Sequence, residues 1–305
     1  MKKICIVGSS GYIGSYLASE LKENYRVISH SRKKIKDTDF NKKIIKHIIG
    51  DITKNSTIKK ILKSNPEVII YTISLNHFDS EVSLSNSLKI NYEPFHNLVE
   101  QILESKKKVK LIYFSTMQVY GREYKKKIIS ENYPKNITNI YSLTHSMCED
   151  LLQAYESKID SHSVRLSNSY GMPKLKNLNC WWPVLNDLCR SAKKKNLIQI
   201  NSDGSALRDF ISLDDVTKFI KILIQKKVKE KIINLCSSET ISIKDLAYII
   251  QKNKFFKKKV VVSFAKKPKK TKKKIFFYDN KIMRKYNFKA NDSLQNQIKN
   301  FLKKI

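Results

Sequence analysis

Gly8-Ser-Ser-Gly11-Tyr-Ile-Gly14 decides how this chain is read. Lys3-Ile-Cys-Ile-Val7 precedes it, a short apolar run with a strand's composition. Ser15 to Glu23 follows and reads as a helix, with Leu17 and Leu21 at i, i+4 spacing. Strand, glycine turn and helix in that order form a phosphate cradle. Gly8 allows the tight turn, Gly11 lets a pyrophosphate approach the backbone, and Gly14 lets the helix pack close to the strand. Free N–H groups at the helix start then bind the anion.

Outward from this turn, strands and helices alternate. Tyr25 to His30 is a second strand, Ile45 to Ile49 a third, Glu67 to Tyr71 a fourth, Lys110 to Phe114 a fifth and His162 to Leu166 a sixth. Helices are expected near 58–62, over 91–105, from Tyr141 to Tyr155, from Cys180 to Lys194, up to Gln225, over 243–251 and near 294–302. The 180–194 helix is given an apolar face of Trp181, Trp182, Leu185 and Leu188. This alternation predicts an α/β fold, a right-handed parallel sheet covered on both faces. The second strand leads into Ser31-Arg32-Lys33, where an acidic residue would bind the ribose of NAD. Arg32 can instead fork onto a 2′-phosphate, so NADP(H) is favoured, with NAD(H) the alternative. Asp51, after the third strand, can accept from an adenine amino group. Tyr141 and His145, four apart, share a helix face.

Composition narrows the function. The formal charge is +33, but only seven of the basic residues are arginine, and base readout favours arginine. A solvated basic surface follows, with no specific nucleic-acid partner and some attraction for an anionic substrate. There is no signal peptide, and no apolar stretch near the roughly 20 residues of a membrane span. The five cysteines have neither metal-ligand spacing nor a disulfide framework. These features predict a cytoplasmic protein with reduced thiols, no bound metal and no membrane association.

Together the glycine turn, Gly50-Asp51-Ile52, Ser115-Thr-Met-Gln-Val-Tyr-Gly121, Tyr141, Arg165-Leu-Ser-Asn168 with Tyr170-Gly171, Asp203-Gly204 and Arg208-Asp-Phe-Ile-Ser-Leu-Asp-Asp-Val216 resemble the extended short-chain dehydrogenase/reductases. These are the NAD(P)-dependent epimerases and dehydratases of nucleotide sugars. The resemblance covers the whole chain. It implies a Rossmann-type doubly wound sheet over 1–169, with 205–235 returning to it. A smaller substrate-binding lobe then comprises 170–204 and 236–305. It implies that Tyr12, Ile13, Ser31, Ile52, Thr72 and Ile73 join the glycines, Arg32 and Asp51 around the cofactor. Tyr141 becomes the acid/base, Thr116 the hydroxyl bonding the same substrate oxygen, and Arg208 the holder of the substrate diphosphate. Asn168 and Cys180 fall at substrate-binding positions, and the relatives suggest a homodimer.

Two departures stand out. The family's lysine four residues after the tyrosine is His145 here, expected to contact the nicotinamide ribose near the tyrosine hydroxyl. A neutral imidazole stabilises tyrosinate less than an ammonium does, which costs oxidation more than reduction. Dehydratases of the family carry an Asp-Glu pair where this chain has Met117 and Gln118, neither of which moves a proton at neutral pH. Hydride chemistry alone is the economical reading: reduction of a 4-keto sugar nucleotide. The alternatives are a 4-epimerase of the same family, or a weakly active or non-catalytic dinucleotide-binding protein.

Overall fold

The computed structural model describes residues 1–176, 178–267, 275–290 and 292–305. Seven parallel strands form the main sheet: β1 (Lys3–Val7), β2 (Arg26–Ser31), β3 (Ile44–Ile49), β4 (Val68–Tyr71), β5 (Lys110–Thr116), β6 (Ser161–Leu166) and β7 (Ile232–Leu235). They lie in the order β3-β2-β1-β4-β5-β6-β7. The chain winds one way from β1 to β3, then returns beside β1 and winds the other way. That reversal leaves a crevice at the carboxyl ends of β1 and β4.

Both faces of the sheet are apolar, as a parallel sheet requires. Ile4, Ile6, Val27, Ile70, Ile112 and Val164 face α1 (Tyr12–Leu21) and the helix Leu213–Gln225. Cys5, Val7, Ile28, Ile69, Tyr71, Leu111 and Tyr113 face α2 (Asn55–Lys63), α4 (Glu93–Glu104) and α5 (Ile140–Ala154). The two-residue strand period sorts alternate residues into these two cores.

Leu207–Ser212 pairs with Asn168–Tyr170 and Thr240–Ser242 in a separate three-stranded sheet. The helix and strand that follow it, 213–225 and 232–235, return to the main sheet. Helices Val184–Lys195, Ile243–Gln251 and Leu294–Lys304 close a third core. Met283 and Phe288, late in the chain, enter the core of the main sheet. Among the described residues, no helix is long and apolar enough to cross a membrane.

Three local expectations are corrected. The first helix starts at Tyr12 rather than Ser15, because Gly11 itself is its N-cap. The lobe helix starts at Val184, not Cys180: Pro183 is its N-cap, and the residue before a proline is driven out of the helical region. Trp181 and Trp182 therefore precede the helix, and Trp182 is 55% exposed. Between Ser74 and Asn91, α3 (His77–Val82), a four-residue helix (Leu84–Ser87) and a π turn (Leu88–Tyr92) occupy a stretch read without helices. Asn76 caps α3 by accepting from the Phe78 and Asp79 N–H groups. Elements this short carry no 3.6-residue period to read.

A buried ion pair joins α5 to the sheet. Arg165 on β6 donates from Nε and Nη2 to the two oxygens of Glu149, at 2.9 and 2.7 Å. Ser115 Oγ donates to the same carboxylate at 2.6 Å. Burial opposes ionisation of Glu149, but Arg165, Ser115 and Lys135 outweigh it and hold the carboxyl below its usual range. Removing one partner strands the other charge in the core. Glu149→Leu is expected to cost about 3–5 kcal/mol in urea unfolding. The double change Glu149→Leu with Arg165→Met should cost less than the sum of the single changes. A Glu149→Leu loss below about 1 kcal/mol would contradict this account.

Candidate active site

The glycine turn lies at the end of β1. Gly8 has φ +95°, and its N–H and that of Ser9 both donate to the His30 carbonyl. A Cβ on Gly14 would come within 2.2 Å of the Gly8 carbonyl oxygen and 2.8 Å of Thr72 Oγ1. No side chain fits there, so α1 runs directly against the turn. The N–H groups of Tyr12, Ile13 and Gly14, in the first turn of α1, have no intrahelical acceptor. Thr72 Oγ1 donates to the Val7 carbonyl, and Ile73 packs against Gly8. This floor fits the pyrophosphate of a dinucleotide.

Around that floor, Ser31 is buried and donates to the Lys33 carbonyl, while the Arg32 and Lys33 side chains are exposed. Thr53 donates its N–H and hydroxyl to Asp51, holding that carboxyl below its usual value; the Arg32 charge acts in the same direction. Arg32 and Asp51 thus stand together beyond β2 and β3, and Ile52 is buried beside them. The Tyr12 hydroxyl donates to the Gly171 carbonyl and accepts from Asn186, tying α1 to the smaller lobe.

The start of α5 meets the end of β5. Asn139 caps the helix by accepting from Ser142 N–H at 2.7 Å. Thr116 ends β5, and its hydroxyl accepts from Gln118 N–H and bonds the Tyr141 phenol. Burial pushes that phenol up to about 12, in spite of the Thr116 bond. Four residues on, His145 is 2% exposed, with its ring 4.5 Å from that of Tyr141 and tilted 68° to it. His145 Nδ1 is 2.7 Å from the Tyr113 hydroxyl and Nε2 is 3.1 Å from Ser74 Oγ. Ser74 Oγ donates its own proton to the Leu75 carbonyl, so it accepts from Nε2–H. Nδ1 is left to accept from Tyr113. Burial pushes the imidazole down to about 4, against the opposing charge of Glu149.

Residues 4–236 match the NAD-dependent epimerase/dehydratase family along their length. The chain belongs to this family. A GDP-6-deoxy-D-talose 4-dehydrogenase of Aggregatibacter actinomycetemcomitans is 26% identical over 243 residues, covering 79% of this chain and 76% of the relative. A human dTDP-D-glucose 4,6-dehydratase is 26% identical over 259 residues, covering 81% and 72%. In structure, a UDP-glucose 4-epimerase of Thermotoga maritima superposes with a TM-score of 0.84 at 18% identity, over 99% of this chain and 97% of that one. The Thermotoga epimerase shares the fold of this chain, and the family's name carries its dependence on NAD.

Of the positions read as substrate-binding, Asn168 and Arg208 lie on the three-stranded sheet and Cys180 lies in the smaller lobe. Asn168 is exposed on a strand paired with Leu207–Ser212, and its Nδ2 donates to the Asp209 carbonyl. Arg208, on that partner strand, is exposed and donates to the carbonyl of Leu207. Cys180 is 1% exposed, packed among Tyr12, Tyr16 and Leu213 where the lobe meets α1. Burial pushes its thiol up. Sequence reasoning passed over Ser74 and Tyr113, the two partners of His145. The signal for them was the histidine itself: an imidazole on a buried helix face needs hydroxyl partners from the strands beneath it.

His145 also sets a pH dependence. Its folded value, about 4, lies below the ordinary value of about 6.5. Between those values the unfolded chain binds a proton that the folded chain refuses. Its contribution is therefore complete above pH 6.5 and lost as pH falls toward 4. Urea unfolding at pH 7 and 4.5 should show His145→Leu losing less stability over this interval than the native chain. An equal loss in both proteins would contradict the buried neutral imidazole.

Proposed function

We propose that this protein is an NADP(H)-dependent oxidoreductase that reduces a 4-keto sugar nucleotide. The observation that carries the reading is the neutrality of the site. His145 stands beside Tyr141 with both ring nitrogens engaged by Tyr113 and Ser74, so no fixed cation occupies the place of the family's lysine, and burial pushes the Tyr141 phenol up. A phenol that keeps its proton is an acid for a developing alkoxide, and reduction of a ketone needs an acid. Oxidation needs the phenolate, the form that burial disfavours.

The chain's residues divide the work as follows. Gly8, Gly11 and Gly14 hold the pyrophosphate, with Tyr12, Ile13, Thr72 and Ile73 along the groove. Ser31 and Arg32 meet the adenosine 2′-phosphate, and Asp51 and Ile52 meet the adenine. Asn168, Arg208 and Cys180 bound the nucleotide-sugar site, with Arg208 on the diphosphate. Thr116 donates a hydrogen bond to the sugar carbonyl oxygen, and Tyr141 gives it a proton as the C–O π bond breaks. When bound, the cofactor supplies the hydride that forms the new C–H bond. His145 keeps Tyr141 oriented without adding charge. Residues 1–169 with 205–235 are read as the cofactor domain, and 170–204 with 236–305 as the substrate lobe, apart from the stretch around Met283 and Phe288 that packs into the main sheet, in a cytoplasmic homodimer.

One relative supports the choice of chemistry and a second contrasts with it. The talose relative is named as a 4-dehydrogenase, a hydride-transfer activity at one sugar carbon. The human relative is named as a dehydratase. This chain instead carries buried Met117 and Gln118, whose amide oxygen accepts from Asn139. Neither side chain offers the acid and base that elimination of water needs.

Purified protein should oxidise added NADPH when supplied with UDP-, dTDP- or GDP-linked 4-keto-6-deoxyhexoses, with one of the three preferred. Tyr141→Phe should lower that rate about 10^2–10^4-fold. NADPH should be used in preference to NADH, and Arg32→Ala should narrow the preference about tenfold by removing a charge-assisted contact. Interconversion of C4 epimers with no net use of NADPH would replace this reading with a 4-epimerase. Equal use of NADH and NADPH by the native protein would remove the NADP(H) assignment.

A further inference from the structure

The reduction described above leaves one imidazole beside Tyr141 unused. His77 opens α3, and its ring stands edge-on to that of Tyr141, at 6.1 Å and 89°. Its Nδ1 is buried and has no hydrogen-bond partner among the described residues. His145, by contrast, has both ring nitrogens engaged. A buried nitrogen left unpaired is costly unless a partner arrives.

The segment that carries His77 is pinned. Asn91, in the π turn, accepts from Leu75 N–H at 2.7 Å and donates to Ser80 Oγ and Thr144 Oγ1. Four residues after His77, Glu81 accepts from the Tyr141 N–H at 3.2 Å. His77 and Glu81 therefore lie on the face of α3 turned to the start of α5. Phe78 and Val82, also four apart, are 73% and 83% exposed. A short helix held by these bonds thus presents an imidazole with one unpartnered nitrogen beside Tyr141.

We propose that His77 is a substrate-binding residue, whose imidazole hydrogen-bonds a sugar hydroxyl next to the carbonyl that Tyr141 protonates. The inference rests on the reductase reading for the identity of that carbonyl. A sugar hydroxyl both donates and accepts, so it satisfies either tautomer of the ring. The contact fixes a second atom of the sugar beside the carbonyl oxygen held by Thr116 and Tyr141.

The test uses the intact protein with NADPH and the UDP-, dTDP- and GDP-linked 4-keto-6-deoxyhexoses. His77→Phe keeps a ring but removes both nitrogens. It should lower kcat/KM for the sugar nucleotide about tenfold to a hundredfold and leave the KM for NADPH unchanged. His77→Gln, which restores a donor and an acceptor, should recover most of the loss. If His77→Phe fails to fold, His77→Ala is read by the same criteria. Unchanged kcat/KM in the folded variant overturns the proposal and leaves the reductase reading standing. A parallel rise in the KM for NADPH, or no recovery by His77→Gln, also overturns it. If nothing is turned over, equilibrium binding of the same three nucleotides decides. Weaker binding by His77→Phe keeps His77 as a ligand and removes the reductase reading; equal binding, or none to either protein, overturns both.

Discussion

Tyr141, His145 and Glu149 recur every four residues along α5, and each is held from the sheet below. Tyr141 bonds Thr116, His145 bonds Tyr113, and Glu149 takes Ser115 and the Arg165 guanidinium. Three of those four partners lie on β5. The helix cannot rotate or slide without breaking all of these contacts. The Glu149–Arg165 pair is fully buried, so its net stabilisation over an apolar pair is small. Its consequence is geometric: with Glu149 fixed, the tyrosine two turns earlier is fixed over the end of the strand.

The same helix face determines the electrostatics. A lysine at position 145 would place an ammonium beside the phenol. The imidazole is neutral there because burial removes the water that would solvate its charge, and Tyr113 and Ser74 satisfy both nitrogens without a proton being added. Two hydroxyls and a neutral ring keep order at the site while leaving the phenol's affinity for its proton high.

The Rossmann core was legible because its signals are local and repeated. Gly8, Gly11 and Gly14 lie between an apolar strand and an apolar helix face, and the later strands are short β-branched runs. Tyr141 and Thr116 were legible through resemblance and not through spacing, since 25 residues separate them in sequence and only the β5–α5 packing joins them. His145 was visible as a substitution, but its environment was not: Ser74 follows β4 and Tyr113 lies in the middle of β5. His77 was missed for a different reason. It sits on a six-residue helix capped by Asn76, too short for any periodicity, and its meaning depends on a tyrosine 64 positions later. Trp181 and Trp182 matched a helix pattern, but Pro183 stops that pattern from starting before it.

The account centres on a tyrosine that burial keeps protonated, with no fixed charge beside it to offset that burial. Its most direct test is to titrate the Tyr141 ring itself, by NMR of 13Cζ-labelled tyrosine with Tyr141→Phe assigning the signal. The native protein should show no Tyr141 phenolate up to at least about pH 10, and His145→Lys should bring its formation to lower pH by placing a charge beside the ring. A native Tyr141 that ionises near pH 7 would contradict the account, because the site would then hold a base where an acid is required.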